Sequence, residues 1–286
     1  MLETVGVNNN VSIFSKALYS NWCHYQTYNL MFDCGEGAAT HIGNYLGGID
    51  SIFISHDHGD HTLGLPSIIG CRNAGRGMSR NVDTMDNNKP LTVYYPEDNY
   101  LMNDLIQFCK LRAGNWLRYD LKFVPISSGF ELDLGNKQFL RAFDMKHQKN
   151  KSTLGYVVYE NRTRLKKEFQ GLDIPSFIRR GITSDKLNET YRANLFAYCL
   201  DAYQIGDTTE LMDVKDIIMD CTFLDAKDRD DPTHFTLDEA YNFCQGIRAK
   251  NMIAAHLSGR YNYNTLLENN KYSGVKFINP YKVNDL

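Results

Sequence analysis

The stretch SHDHGDHTLGLP, Ser55 to Pro66, places three histidines and two aspartates in seven consecutive positions of a chain that has eight histidines in all. A lone histidine is usually a polar surface or capping residue. Imidazoles and carboxylates crowded this closely repel or desolvate one another unless a positive charge sits among them. A divalent cation supplies that charge, and a mixture of imidazole and carboxylate donors suits zinc. With the backbone turned at Gly59, His56 and His58 can address one ion while Asp60 and His61 address a second.

Four residues on one loop do not complete two sites, since zinc takes about four donors, water included. The remaining donors must come from elsewhere in the chain. His147 stands in a polar loop ahead of Gly155-Tyr156. Asp201 follows the apolar run LFAYCL, from which a carboxylate could project between two ions. Asp207, in a Gly-Asp-Thr triplet six residues on, competes with it by local spelling. Position favours Asp201, because Asp207 lies in a polar stretch. His256 ends the apolar run MIAAH. His234 precedes a helix that Thr236 would cap, with Glu239 three residues on as the partner of a capping box. His24, in a polar-aromatic stretch, and His41, in an expected helix, have no such setting.

The elements that must hold these residues are strands alternating with helices. The apolar run Ile49–Ile54 reads as a buried strand ending at the histidine cluster. Gly64 and Pro66 mark the entry to a helix around Ser67–Cys71. Further strands are expected at Tyr28–Phe32, Ser51–Ile54, Thr92–Tyr95, Leu121–Pro125, Gly155–Tyr159, Leu195–Leu200, Asp216–Met219 and Met252–Ala255. Helices are expected at Glu97–Lys110, Thr209–Val214 and Leu237–Arg248. The polar stretch Val82–Pro90 reads as a surface loop. Periodicity alone gives an α/β or α+β class.

The pattern H-x-H-x-D-H behind an apolar strand resembles the metallo-β-lactamase superfamily. FDCGEG (Phe32 to Gly37), HGDHTLGLP, Gly155-Tyr156, TFLD (Thr222 to Asp225), the extra His234 and the final HLSGRY (His256 to Tyr261) look like its RNase Z branch. The resemblance implies an α/β fold, an αββα sandwich, in one domain spanning residues 1–286. It implies two divalent metal ions per chain, Zn2+ with Mn2+ or Mg2+ as alternatives. His56, His58 and His147 would hold one, Asp60, His61 and His256 the other, and Asp201 would bridge them. It casts Asp60 and His234 as catalytic and Arg260 as a phosphate contact. Such a pair of ions supplies a nucleophile at neutral pH and cancels charge on a phosphate. No Ser-His-Asp triad, G-x-S-x-G elbow or P-loop competes with this reading.

The chain also departs from that branch. Transfer-RNA processing enzymes carry an arm with a Gly-Pro element between the Gly-aromatic strand and the bridging aspartate. Here residues 161–194 form a short basic insertion without a Gly-Pro pair, in which Arg162, Arg164, Lys166, Lys167, Arg179, Arg180, Lys186 and Arg192 face fewer acids. The segment VGVNNNVSIFSKAL lacks the usual G-x-G opening. A short arm, a net charge of −3 and 18 tyrosines look like the phage-type anti-Pycsar phosphodiesterases, RNase Z-like homodimers that open cyclic mononucleotides. The expected function is therefore hydrolysis of a cyclic mononucleotide to a linear monophosphate, with transfer-RNA 3′-end cleavage as the alternative. A non-catalytic scaffold binding RNA or a partner comes third, since it would have no reason to keep seven ligands.

Composition sets the remaining bounds. Hydrophobic residues make up 43% of 286 residues, ordinary for a soluble domain. The mild negative charge argues against nonspecific polyanion binding. No signal peptide is legible in MLETVGVNNN and no apolar run reaches membrane-spanning length. The seven cysteines are scattered without a C-x-x-C pair, so reduced thiols and a cytoplasmic setting, the host cytoplasm if phage-encoded, are expected.

Overall fold

The computed structural model describes residues 11–74, 88–268 and 270–286. The first sheet is built from β1 (Val11–Lys16), β2 (Ser20–Tyr25), β3 (Leu30–Phe32), β4 (Ser51–Phe53), β5 (Leu91–Pro96) and β6 (Leu121–Ile126). The second takes β7 (Glu131–Gly135), β8 (Gln138–Lys146), β9 (Thr153–Leu165), β10 (Asn188–Cys199), β11 (Gln204–Ile205), β12 (Asp216–Asp220), β13 (Asn251–Ala255) and β14 (Val275–Phe277). The short β15 (Asn284–Asp285) returns to the first sheet beside β1. The strand orders are β15-β1-β2-β3-β4-β5-β6 and β11-β8-β9-β10-β12-β13-β14, with β7 paired to β8.

Three apolar clusters define four layers. The inner faces of both sheets meet through Ile13, Phe32 and Phe53 on one side and Leu140, Tyr156, Phe196, Tyr198 and Ile253 on the other, all fully buried. Outside the first sheet lie the helices α1 (Ala38–Ile42), α3 (Leu65–Ala74) and α4 (Tyr100–Ala113), packed through Ala38, Ile68, Met102 and Ile106, while α2 (Gly59–Thr62) is a single turn in the loop after β4. The hairpin carries α5 (Ile174–Arg179) and α6 (Ser184–Leu187). Outside the second sheet, α7 (Leu237–Gly246) and α8 (Tyr263–Glu268) pack through Leu237, Ala240, Cys244 and Leu266. The α7 start is the capping box foreseen from Thr236 and Glu239. The order helix, sheet, sheet, helix is the expected αββα sandwich.

Strand direction places the chemistry. Strands β3 to β6 run parallel, as do β10, β12, β13 and β14. Parallel strands put all their carboxyl ends on one edge, where ligands of open α/β sheets bind. Asp33 follows β3, the Ser55–His61 loop follows β4, Asp201 follows β10, Asp220 ends β12 and His256 follows β13. Asp33, Asp201 and His256 adopt left-handed φ values of 54°, 56° and 61°. That region is sparsely populated by residues other than glycine, and such strain gathers where function fixes the backbone.

Two glycines explain why FDCGEG and HGDHTLGLP occur together. The Cys34 amide donates to the His61 carbonyl and the Gly64 amide to the Cys34 carbonyl, at 2.7 and 2.8 Å. A Cβ on Gly64 would collide with the Gly35 and Cys34 carbonyls, and one on Gly35 with the Asp60 carbonyl and the Asn21 amide. The two loops touch backbone to backbone, which only glycine allows.

Several boundaries differ from the sequence reading. The helix expected from Glu97 begins at Tyr100 and runs on to Ala113, and the one expected over Thr209–Val214 is a single 3-10 turn, Thr208–Leu211, capped by Asp207. His24 lies buried within β2 rather than in a loop, and burial pushes its pKa down to about 4. β1, β2, β7, β8, β11, β14 and β15 were not anticipated, their apolar patterns being short or interrupted by polar residues. The insertion at 161–194 is largely the outer half of a long β9–β10 hairpin, paired from Asn194↔Tyr159 out to Asn188↔Leu165. Of the Val82–Pro90 stretch, residues 82–87 lie outside the described residues, as do residues 5–10 of the amino-terminal motif.

Replacing Gly64 by Ala should destabilise the fold by about 1–3 kcal/mol through the forced separation of the two loops. Urea unfolding of the purified variant reads this directly, and a midpoint equal to wild type would refute the close-contact argument.

Candidate metal centre

The carboxyl-edge loops, with His147 after β8, bring together every residue expected from the sequence to hold metal. His56, His58, His147 and Asp201 offer one donor atom each within 4.8 Å of one another, and so do Asp60, His61 and His256. Asp201 stands between the groups. Its Oδ2 lies 3.6 Å from His56 Nε2 and 3.7 Å from His147 Nε2. Its Oδ1 lies 3.3 Å from His61 Nε2 and 3.1 Å from His256 Nε2. Asp60 Oδ2 lies 3.5 and 3.6 Å from the same two nitrogens of His61 and His256. Asp207 is exposed, and its carboxylate accepts from the amide and hydroxyl of Thr209.

Four of the five rings are oriented from behind. His61 Nδ1 meets Asp33 Oδ2 at 2.6 Å, and that carboxylate also accepts from the Ser55 amide, the Ser55 hydroxyl and the Tyr198 hydroxyl. His56 Nδ1 donates to Ser55 Oγ at 2.9 Å, whose own proton goes to Asp33. His147 Nδ1 donates to the Thr233 carbonyl at 2.9 Å. His256 Nδ1 donates to Thr222 Oγ1 at 2.7 Å, and Thr222 passes its proton to Asp220. With Nδ1–H so engaged, neutral His56, His147 and His256 turn an Nε2 lone pair inward, the arrangement that metal-ligating histidines adopt.

Three of the inward atoms meet no protein donor. His56 Nε2, His256 Nε2 and Asp201 Oδ1 are buried without a hydrogen-bond partner. Each such atom costs about 1–3 kcal/mol if left so. His147 Nε2 faces His58 Nδ1 at 3.3 Å, two acceptor nitrogens pointing at one spot. Cations at the two foci would satisfy all of these atoms, so the residues present fit two divalent ions. His56, His58, His147 and Asp201 would hold one, and Asp60, His61, His256 and Asp201 the other.

Charge follows the same division. Burial, then His61, depresses His56. Burial also opposes charge on His61, but Asp201 and Asp33 outweigh it and raise its pKa. Burial resists ionisation of Asp60 and Asp201, yet surrounding imidazoles hold both carboxyls well below their ordinary range.

Asp220, Asp33, Thr222 and Asn21 were missed as site residues. Asn21 Nδ2 lies 3.0 Å from Asp60 Oδ2 and 3.2 Å from His61 Nε2. Asp33 and Asp220 carry the same signal that revealed Asp201, an aspartate closing an apolar strand. Asp220 could also be counted with Asp201, His234 and His256 as a donor group. Its oxygens are already engaged, however. Oδ1 accepts from the Thr222 amide and hydroxyl, and Oδ2 from the Ala202 amide and His234 Nδ1. It is an anchor, and His234 is its load.

His234 stacks on His256 with ring centroids 5.2 Å apart and lies 4.7 Å from the His147 ring. Burial opposes its protonation, but Asp220 pushes its pKa up to about 9. Arg260 is outside both donor groups. Its guanidinium donates to the Asp228 carbonyl and lies 5.2 Å from the Phe223 ring, which in turn abuts His234 at 6.3 Å.

The two-sheet architecture and this edge define a protein of the metallo-β-lactamase fold. Human tRNase Z, short form, superposes over 96% of this chain and 98% of its own with a TM-score of 0.66 at 18% identity. A diphosphatase of the PhnP family superposes over 97% of both chains with a TM-score of 0.61 at 12% identity. By sequence the chain is similar to ribonuclease BN of Escherichia coli O157:H7, 35% identical over 120 residues, which are 41% of this chain. The match spans about a third, 35%, of that ribonuclease's length. No protein-family model matches the chain.

Asp201→Ala should bind less than one equivalent of zinc where wild type binds two, because it removes a donor from each group. Asp207→Ala should bind as wild type. Elemental analysis after dialysis decides, and the opposite ranking would overturn the placement of the bridge. Zinc should also raise the melting temperature of wild type, since an ion binding only the folded chain stabilises it.

Proposed function

We propose that the chain is a dinuclear metal-dependent phosphodiesterase. The observation that carries this reading is Asp201, one carboxylate with an oxygen turned to each donor group. Two divalent ions held there, Zn2+ by the donor chemistry, would supply an acidified water and offset charge on phosphate oxygens. Asp60, ionised and held at 3.0 Å by the Asn21 amide, is placed to orient a nucleophilic water and to take its proton. His234, charged by Asp220, donates a proton to the departing oxygen or stabilises the charge that builds there. Arg260, at the rim, contacts substrate phosphate.

For the substrate we favour a cyclic mononucleotide. The support is in the hairpin, where a long RNA would be gripped. Arg162 pairs with Glu160 at 2.8 Å, Arg164 with Glu189 at 2.8 Å and Arg192 with Glu210 at 2.5 Å. Arg164 and Arg192 also stack on Tyr191 and Tyr159. Cations neutralised this way give little to a polyanion, whose binding depends on many phosphate contacts. RNA cleavage is the second reading, favoured by the similarity to ribonuclease BN and human tRNase Z. A homodimer is part of the first reading, with the hairpin as a contact.

His234→Ala should retain both zinc ions and lose about 10²–10⁴-fold in kcat, the range for a side chain moving a proton in the transition state. Loss of zinc would instead make His234 a ligand. A raised histidine pKa means the charged form persists below about 9 and is lost above it. Metal ions nearby work in the opposite direction. The alkaline limb of the rate profile should therefore lie below pH 9 in the loaded enzyme and move lower still in Asp220→Asn. An unmoved limb would remove His234 from the acid role.

Substrate is decided by competition in one tube at moderate salt. Cyclic nucleotides should be opened faster than precursor transfer RNA is cut, with weak dependence on salt. Trimming of the RNA 3′ trailer with the cyclic nucleotides left intact would replace the first reading by the second.

A further inference from the structure

Asp57 stands between two donors, His56 and His58, yet belongs to neither donor group. Its carboxylate reaches instead the segment that carries His147. Oδ2 accepts from Lys151 Nζ at 2.8 Å and Oδ1 from Gln148 Nε2 at 3.3 Å. The Asp57 side chain is fully buried, and that of Lys151 is 18% exposed. The Lys151 ammonium also lies 4.2 Å from the centre of the Tyr100 ring, at the start of α4. A charge pair so sheltered from water is screened little by salt.

A second tie joins the same two segments. Asn99 Oδ1 accepts from the Asp57 amide, and Asn99 Nδ2 donates to the Ser152 carbonyl, both at 3.0 Å. Asp98 beside it accepts from the Ser152 amide and hydroxyl. The Leu154 amide donates to the Ser55 carbonyl at 2.9 Å. The segment after His147 is therefore fastened at both ends along the one that carries His56 and His58.

This fastening bears on His147 more than on any other donor. His147 stands on the turn of an antiparallel hairpin, between β8 and β9. His58, whose ring is not held from behind, turns its Nδ1 to His147 Nε2 at 3.3 Å. The spacing of these two donors is set by how closely their segments are drawn together. The other group lies outside this tie, its histidines being held by Asp33 and Thr222. We propose that Asp57 is a positioning residue: with Lys151 it latches the His147 turn to the His56–His58 segment and so sets the zinc affinity of the three-histidine site alone. The proposal rests on the two-ion reading of the metal centre and extends it to a residue that touches neither ion.

The test is competition for zinc between the full chain and a chromophoric chelator, in two single-site backgrounds. His256→Ala leaves the three-histidine site intact, and His147→Ala leaves the site of Asp60, His61 and His256. Adding Asp57→Asn should weaken zinc binding about ten-fold or more in the first background, the cost typical of losing a group that orients ligands, and about two-fold or less in the second. Lys151→Met should give the same split and serves if Asp57→Asn does not fold, while Lys151→Arg should restore binding. A residue that merely stabilised the fold would weaken both backgrounds alike. Equal losses in the two, or an unchanged affinity in His256→Ala, would overturn the latch. Because the readout is zinc affinity, failure of the phosphodiesterase reading would show separately, as absence of bis(4-nitrophenyl) phosphate hydrolysis by the zinc-loaded wild type.

Discussion

The molecule is organised around charge that has nowhere else to go. Asp201 is 2% exposed, His56 and His61 are fully buried, and His256 is nearly so, yet their inward atoms face one another rather than water. Burying such groups without compensation is among the costliest things a fold can do. What compensates is arranged from outside the cluster: Asp33 behind His61, Ser55 behind His56, Thr222 behind His256, the Thr233 carbonyl behind His147. These contacts fix the direction of each ring, and the two parallel sheet segments fix where each ring stands. Sheets, loop contacts and left-handed strand ends are all conditions for holding those atoms at two foci.

Asp220 links the centre to the chemistry around it. One carboxylate holds the start of the loop after Asp201 through the Ala202 amide, the Thr222 behind His256, and His234. The carboxylate between the two donor groups, a histidine of one of them and the proposed proton donor are thereby positioned by the same pair of oxygens. A shift of β12 would move all three together, which keeps their relative geometry constant while the surrounding loops adjust.

The clustering of these donors was legible in the sequence because strand-end donors have a local signature: an apolar run, then a histidine or aspartate. His56, Asp201 and His256 share it. Asp33 and Asp220 share it too and were passed over, since a carboxylate that ligates and one that orients look identical until the partner atoms are known. His24 illustrates the converse: a polar-aromatic neighbourhood hides a buried strand when the alternation is broken by Trp22 and Tyr25, both of which are also buried. The hairpin was legible as basic but not as paired, because the carboxylates that neutralise Arg164 and Arg192 lie 25 and 18 residues away in the chain.

The donors at the two foci come from both sheets and from positions as far apart as His56 and His256, and the seven cysteines are all free thiols. An ion bound at either focus closes a very long loop in the chain, and the constraint on the unfolded state grows with the logarithm of loop length. The pair of ions would thus serve as removable staples between the two halves of the sandwich, doing for this disulfide-free chain what covalent bridges do for small secreted domains. Unlike a disulfide, such a staple is set by metal availability and proton concentration instead of redox potential, so the protein's resistance to unfolding and its capacity for chemistry would rise and fall together.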